Sequence, residues 1–433
     1  MKRNCAAVVQ LDAATIPSLM KSSRLPQIVL RVVSSPRVIF LIALIVRLRV
    51  LSQLLPLNEG RNFYQYNEPS HIAWALISGF GYSAPWPHTP VAATAQQPPL
   101  YPFLLAAIFK LAGAYTYSSL WIAASLNAFF SALTAVLILR LGKRDFSAAT
   151  GLLAAWVWAC WQYEAVVSIR LWESSLSALL LILVLWLLPG LSDSLRASRW
   201  LLLGALAGTA ALVNTTLLGL FPFFWLWLWA SHHRRGVSCY RVLIASIAVC
   251  FLLLVPWTIR NYVAFHRLIP IRDNLGLELW LGNHQGVTHV FDSDFPVLDP
   301  TEYNRLGELR FMEVKREIAL EFIYHHPAQF VRLSARRFFR FWTAPEGSAW
   351  LPLSLLAWAG MVVMLWRKRW GAVPFAVVIL VFPVVYYITH VFSTYRHPAE
   401  PVIILLAAYA MVTAVESVGR RLFRSGSRDI SLI

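Results

Sequence analysis

Charge is scarce in this chain. Only 14% of the 433 residues are charged, and acids are the rarer sign, with 21 Asp and Glu against 38 Lys and Arg. So dilute a charge excludes an ordinary soluble multidomain protein. Cysteine is scarce too: Cys5, Cys160, Cys239 and Cys250 show no CxxC spacing and have no nearby His or Cys partners, so neither a disulfide framework nor a cysteine zinc site is indicated. The histidines lack HExxH or any other paired metal-ligand spacing, and GxSxG, Walker A and GxGxxG motifs are absent. Serine hydrolases and nucleotide-driven pumps therefore have no support. No internal repeat or low-complexity tract is evident. The N-terminal segment has no long apolar stretch ending in a small-residue cleavage site, so the first span reads as an uncleaved anchor.

What the chain has is hydrophobicity, at 58% of residues. Runs suited to about 30 Å of hydrocarbon, which takes roughly 20 helical residues, fall near Val38 to Leu57, Ser118 to Leu141, Ala148 to Val166, Glu173 to Leu188, Trp200 to Val213, Thr216 to Ala230, Val242 to Trp257, Ala349 to Trp366, Ala372 to Thr389 and Val402 to Val418. The expectation is an all-α membrane protein with about ten transmembrane helices. Asn214 to Thr216 reads as a break within one helix, and Leu100 to Leu111 as an interfacial or re-entrant helix. The net charge of +17 comes from short basic clusters beside the spans, among them Lys143/Arg144, Arg196/Arg199, Arg234/Arg235, Arg367 to Arg369 and Arg420/Arg421. Such clusters set topology and meet anionic lipid headgroups, so nucleic acid is not an expected partner and membrane lipid is. They put both termini in the cytoplasm of an inner-membrane protein. The chain then divides into a cytoplasmic segment 1–37, a membrane core 38–258 with a first external loop 58–117, an external α-rich segment 259–348, C-terminal spans 349–418 and a tail 419–433. Within the external segment, Pro327 to Trp342 spaces Arg332, Arg336 and Arg340 four apart among aromatics, the pattern of a helix lying in the headgroup plane.

The first external loop is where an acid, a histidine, glycine turns and a rigid Pro-Pro pair meet a membrane surface. It reads Tyr66-Asn67-Glu68-Pro69-Ser70-His71, then Gly79-Phe80-Gly81-Tyr82-Ser83, then Gln97-Pro98-Pro99-Leu100-Tyr101-Pro102. Pro69 suits a first helical turn, so Glu68 reads as the start of a short helix running to Gly79. A carboxylate there is either a helix-start acid or a general base facing a cavity at the lipid boundary. On the same side lie Arg170 and Glu173, which form a second candidate pair or a local ion pair, and Glu164, with a weaker claim. Arg260 in Pro256-Trp257-Thr258-Ile259-Arg260-Asn261-Tyr262 and Arg396 in Tyr395-Arg396-His397-Pro398 are suited to bidentate phosphate contact or to snorkelling. Arg47 and Arg49 sit inside the first span, where an exposed charge costs about 2.5 to 3.5 kcal/mol, so one of them is expected to face protein.

These motifs, in this order from Arg47 to Pro401, resemble the GT-C class of polytopic glycosyltransferases, which includes protein O-mannosyltransferases, aminoarabinose transferases and Rgt-like bacterial enzymes. The resemblance implies a polyprenyl-phosphate-linked sugar as donor and a glycan, lipid or protein as acceptor on the external side. It implies Glu68 as general base, with Glu173 as the second acid. It also implies His71, Tyr101, Arg170, Arg260 and Arg396 as substrate-binding residues. The resemblance requires no cofactor and admits a divalent cation between Glu68 and Glu173. Many relatives carry Asp-Glu where this chain has Asn67-Glu68, so Glu68 is expected to act alone. Two other readings compete: a polysaccharide ligase or polymerase using a lipid-pyrophosphate glycan, and a lipid or solute transporter. The transporter reading calls for internal symmetry and ionisable groups at span centres, whereas here the charges collect at span ends.

Overall fold

The structure is a computed structural model, described here for residues 24–57, 68–83, 86, 91–287, 300–343, 350–367 and 369–426. Asn67, on which the single-acid argument turns, lies outside the described residues. Among them the fold is helical, with one isolated antiparallel bridge between Ser83 and Ala93. The helices are α1 (Arg24–Val33), α2 (Pro36–Leu57), α3 (Glu68–Ile77), α4 (Leu100–Ala112), α5 (Tyr117–Asp145), α6 (Ala148–Cys160), α7 (Gln162–Ser168), α8 (Ser174–Ser192), α9 (Ala197–Val213), α10 (Thr215–Leu218), α11 (Phe221–His233) and α12 (Tyr240–Phe265). Next come α13 (Leu275–Gly282), α14 (Pro300–Leu306), α15 (Glu308–His325) and α16 (Pro327–Thr343). The chain closes with α17 (Trp350–Trp366), α18 (Val373–Val381), α19 (Val384–Ile388) and α20 (Glu400–Gly426), the last preceded by a 3-10 turn at Ser393–Ala399.

Among the described residues six helical stretches are long and apolar enough to cross a membrane: Pro36–Leu55, Tyr117–Asp145, Ser174–Ser192, Tyr240–Phe265, Trp370–Ile388 and Ser393–Val418. Leu100–Ala112 is an apolar helix of 13 residues, shorter than the roughly 20 that a straight crossing takes. The break expected near Asn214 is present, and Asn214 Oδ1 accepts from the Thr216 N–H at 3.0 Å to cap α10. The run Ala148 to Val166, read as one span, is divided instead. Helix α6 ends at Cys160, and Trp161 is extended before α7 begins.

A buried arginine accounts for that division. Arg47 is fully buried and donates to the Trp158 carbonyl at 3.0 Å, the Ala159 carbonyl at 3.1 Å, the Ala43 carbonyl at 3.0 Å and Ser131 Oγ at 2.7 Å. The last carbonyls of a helix have no partner within it, and here a guanidinium satisfies two of them away from water. Arg49 is exposed. Helices α9 and α12 approach closely because α9 carries Gly204 and Gly208, four apart. A Cβ at Gly204 would overlap the Ser246 carbonyl, and one at Gly208 would lie 2.9 Å from the Cys250 carbonyl. This is small-residue packing of the kind that drives helix association in lipid.

The short basic loops gather at one end of the bundle. Lys143 Nζ reaches the Ser34 carbonyl at 3.5 Å, Arg144 the Trp186 carbonyl at 2.6 Å and Arg235 Asp193 at 2.8 Å, while Arg234 lies over the Trp370 ring at 3.7 Å. The first loop and the segment after α12 meet each other elsewhere, through the contacts described next.

Candidate functional site

Helix α3 starts at Glu68, as expected from Pro69, and ends before Gly79 and Gly81. Both glycines have positive φ, +85° and +72°, a conformation open to glycine at little cost. The turn they make returns the chain so that Tyr82 Oη donates to the Gln97 carbonyl at 2.8 Å and Thr94 N–H to the Tyr82 carbonyl at 3.1 Å. The glycine turn and the Gln97-Pro98-Pro99 motif are therefore two legs of one strap. Three groups outside the strap hold it. Arg260 donates to the Thr94 carbonyl at 2.7 Å and the Tyr82 carbonyl at 2.5 Å, Asp273 N–H donates to the Ala95 carbonyl at 2.9 Å, and Glu308 accepts from Ala95 N–H at 2.6 Å.

The Pro256-to-Tyr262 motif has a second task. Trp257 Nε1 donates to the Ile271 carbonyl at 2.8 Å, Thr258 Oγ1 to Pro270 at 3.0 Å, and Asn261 Nδ2 to Ile269 at 3.0 Å and to Ile271. His266 closes α12 in a left-handed conformation, φ +53°, and the chain doubles back along the helix end. That reversal brings Arg272 near enough for its charge to act on Glu68 and Glu173. Both acids feel its charge, and they repel each other. Arg272 also pairs with Glu278 at 3.3 Å, and Glu278 accepts from Asn274 Nδ2 at 2.6 Å. His390 Nδ1 lies 3.3 Å from Glu278 Oε2, and its Nε2 is 3.1 Å from Tyr395 Oη. Among the described residues Arg272 Nε has no hydrogen-bond partner.

Glu68 is half-buried and accepts from Trp86 Nε1 at 3.4 Å; Glu173 is buried at the start of α8. Burial pushes each carboxyl up to about 7, against the lowering effect of nearby hydrogen bonds and of Arg272. A carboxylate near pH 7 is matched to taking a proton at neutral pH. Glu308 is pushed up to about 7 by burial as well, but it is tied to Ala95 and to Tyr303 Oη at 2.9 Å. Among the described residues no three His, Cys, Asp or Glu groups are placed to share a metal ion. Among the described residues, a divalent cation between Glu68 and Glu173 would have no third such ligand placed with them.

The remaining residues expected at the site are placed as follows. Arg170 is exposed just before Glu173 and makes no side-chain hydrogen bond or ion pair among the described residues, so it is not the local partner of Glu173. Tyr101 is buried, and its hydroxyl accepts from Asn127 Nδ2 at 2.7 Å, which also holds the Arg170 carbonyl at 2.6 Å. His71 Nδ1 meets Tyr115 Oη at 3.2 Å. Arg260 has both terminal nitrogens on strap carbonyls. Arg396 is buried and bidentate on Glu400, at 2.6 and 3.0 Å, with Ser354 Oγ at 2.8 Å. Glu164 is buried against His397 Nδ1 at 2.6 Å. Four expected participants, Arg260, Arg396, Tyr101 and His71, are thus engaged within the protein, while Arg272, Glu278, His390 and Trp86 were not singled out from sequence.

The Arg396–Glu400 pair carries a stability prediction. Arg396→Leu strands a buried carboxylate, so it lowers stability by about 3–5 kcal/mol. The double variant Arg396→Leu/Glu400→Leu recovers much of that loss. Thermal unfolding in detergent reads both, and a single variant melting with the wild type contradicts the pairing.

This fold is that of the GT-C class of polytopic membrane glycosyltransferases, and the family match supports the same class. Residues 96–259, less than half of the chain, match the model described as dolichyl-phosphate-mannose-protein mannosyltransferase. The matched stretch contains Glu173 and ends one residue before Arg260. The Archaeoglobus fulgidus oligosaccharyltransferase is similar at a TM-score of 0.55 and 12% identity, in its complex with Zn and sulfate, over 91% of this chain and 51% of that one. Its apo form gives 0.54 and 14%, over 91% and 52%. ArnT from Cupriavidus metallidurans bound to undecaprenyl phosphate gives 0.46 and 16%, over 83% and 59%. The chain therefore spans about half to three fifths of the solved chains it matches. No curated protein sequence matches it at a significant level.

Proposed function

We propose that the protein transfers a sugar from a polyprenyl-phosphate donor to a hydroxyl or amine acceptor at the external membrane face. The observation that carries the reading is that Arg272, paired with Glu278 at 3.3 Å, lies near enough to Glu68 and Glu173, from separate parts of the chain, to favour the ionised form of both. The family description, which names a dolichyl-phosphate sugar, supports a lipid monophosphate as leaving group. The basic loops at one end of the bundle support a cytoplasmic face there, in an inner membrane with both termini inside.

In this reading the acceptor O–H or N–H gives its proton to the Glu68 carboxylate. The acceptor atom bonds to the anomeric carbon, and the bond from that carbon to the phosphate oxygen breaks with its electron pair on the phosphate. The polyprenyl phosphate leaves with one added negative charge, which Arg272 faces. A single displacement inverts the anomeric centre. Glu173 orients the acceptor, and exposed Arg170 is free to meet headgroup or donor phosphate. The test is turnover in proteoliposomes, comparing undecaprenyl-phosphate hexoses and pentoses with an undecaprenyl-pyrophosphate glycan. Release of undecaprenyl phosphate is expected from the monophosphate donors, and turnover of the pyrophosphate glycan alone moves the protein to the ligase or polymerase class.

A further inference from the structure

We infer that Trp86 is a positioning residue for Glu68, and that helices α14 and α15 act on the candidate base through it. The inference rests on the reading of Glu68 given above. Among the described residues Trp86 is the side chain that donates a hydrogen bond to Glu68, from Nε1 to Oε1 at 3.4 Å. Its ring is held edge-on against Tyr303, with centroids 4.8 Å apart, and against Phe311 at 6.4 Å, and those two rings meet each other at 5.3 Å. Leu277 and Met312 complete that apolar cluster. Edge-to-face contacts of this kind fix ring orientation, and with it the direction of the indole N–H.

The same wall is locked to the first loop from its other side. Tyr303 Oη donates to Glu308 at 2.9 Å, and Glu308 accepts from Ala95 N–H at 2.6 Å. Helices α14 and α15 thus grip the strap at Ala95 and aim Trp86 at the acid that opens α3. An indole N–H stabilises the charged form of a carboxylate, so it holds Glu68 lower than burial alone would. The other charges facing Glu68 are Arg272, which favours its ionised form, and Glu173 and Glu278, which oppose it.

Trp86→Phe removes the N–H together with the five-membered ring and keeps a six-membered aromatic ring to pack on Tyr303 and Phe311, so the hydrogen bond is lost while much of the packing stays. Infrared difference titration of the purified protein reads the Glu68 carboxyl band, assigned by its disappearance in Glu68→Gln. Burial pushes Glu68 up to about 7, so the wild-type band is expected to titrate there. In Trp86→Phe it moves alkaline by about half to one unit, the worth of one hydrogen bond. Tyr303→Leu, which leaves both partners and Phe311 in place and removes the ring nearest Trp86, moves it the same way and serves where Trp86→Phe does not fold. A band that titrates at the wild-type pH in the folded variants overturns the inference. That outcome is distinct from failure of the catalytic reading, which is sugar transfer retained by Glu68→Gln.

Discussion

Glu68→Gln lowers sugar transfer by about 10²- to 10⁴-fold, the range that a positioned base supplies, while the protein stays inserted and folded. The substitution keeps the shape and the Trp86 contact but cannot take a proton. The wild-type rate should rise with pH through about 7, because Glu68 accepts a proton only after losing its own. Glu173 titrates in the same range and repels Glu68, so the rise belongs to the pair and spreads over two apparent values. Stability should move the other way. Both carboxyls hold protons above their ordinary 4.5 in the folded state, so their contribution is full below that value and declines as pH rises toward 7. Pure activity loss at high pH, with no rise through neutrality, contradicts the role of Glu68.

Arg272 carries the second large effect. Arg272→Gln should cost about 10²- to 10³-fold in kcat, the usual scale for losing one preorganised group at developing charge. Arg272→Lys should recover part of that, as a point charge without the fork of a guanidinium. Arg260→Gln should act differently. Its donors hold the strap at Tyr82 and Thr94, so its loss should loosen the first loop, and it should lower the melting temperature and kcat together. Equal effects of Arg272→Gln and Arg170→Ala on kcat would show that the leaving phosphate is not met at Arg272 in particular.

The features legible in sequence are those that local chemistry decides. Pro69 after Glu68, the glycines at 79 and 81 and the Asn214 break each declare themselves within a few residues. The buried half of the pair Arg47 and Arg49 followed from the cost of a charge in lipid. The cation proposed for the site was not legible this way. Arginines at span ends drew attention because they sit where a lipid phosphate would, yet Arg396 has Glu400 four residues on, a spacing that itself suggests a local ion pair across the turn that opens α20. Arg260 is consumed by backbone carbonyls more than 160 residues away in sequence. Arg272 comes near Glu68 because Trp257, Thr258 and Asn261 fold the following segment back onto α12, and such tertiary contacts leave no periodic signal.

Trp86 was missed for a related reason, since a tryptophan in a polar loop reads as interfacial until Tyr303 and Phe311 are seen beside it. The glycines of α9 were within reach of sequence. Gly204 and Gly208 form a small-xxx-small pattern inside an apolar run, and they seat α12, from whose end Arg260 and the Arg272 reversal extend.

The most direct measurement is undecaprenyl phosphate released from an undecaprenyl-phosphate sugar by the purified protein in proteoliposomes, run side by side for wild type, Glu68→Gln and Arg272→Gln. Acceptor-dependent release by the wild type, lost in both variants, is the expected result. Undiminished release by Glu68→Gln, or no release by the wild type from any monophosphate donor, would contradict the account.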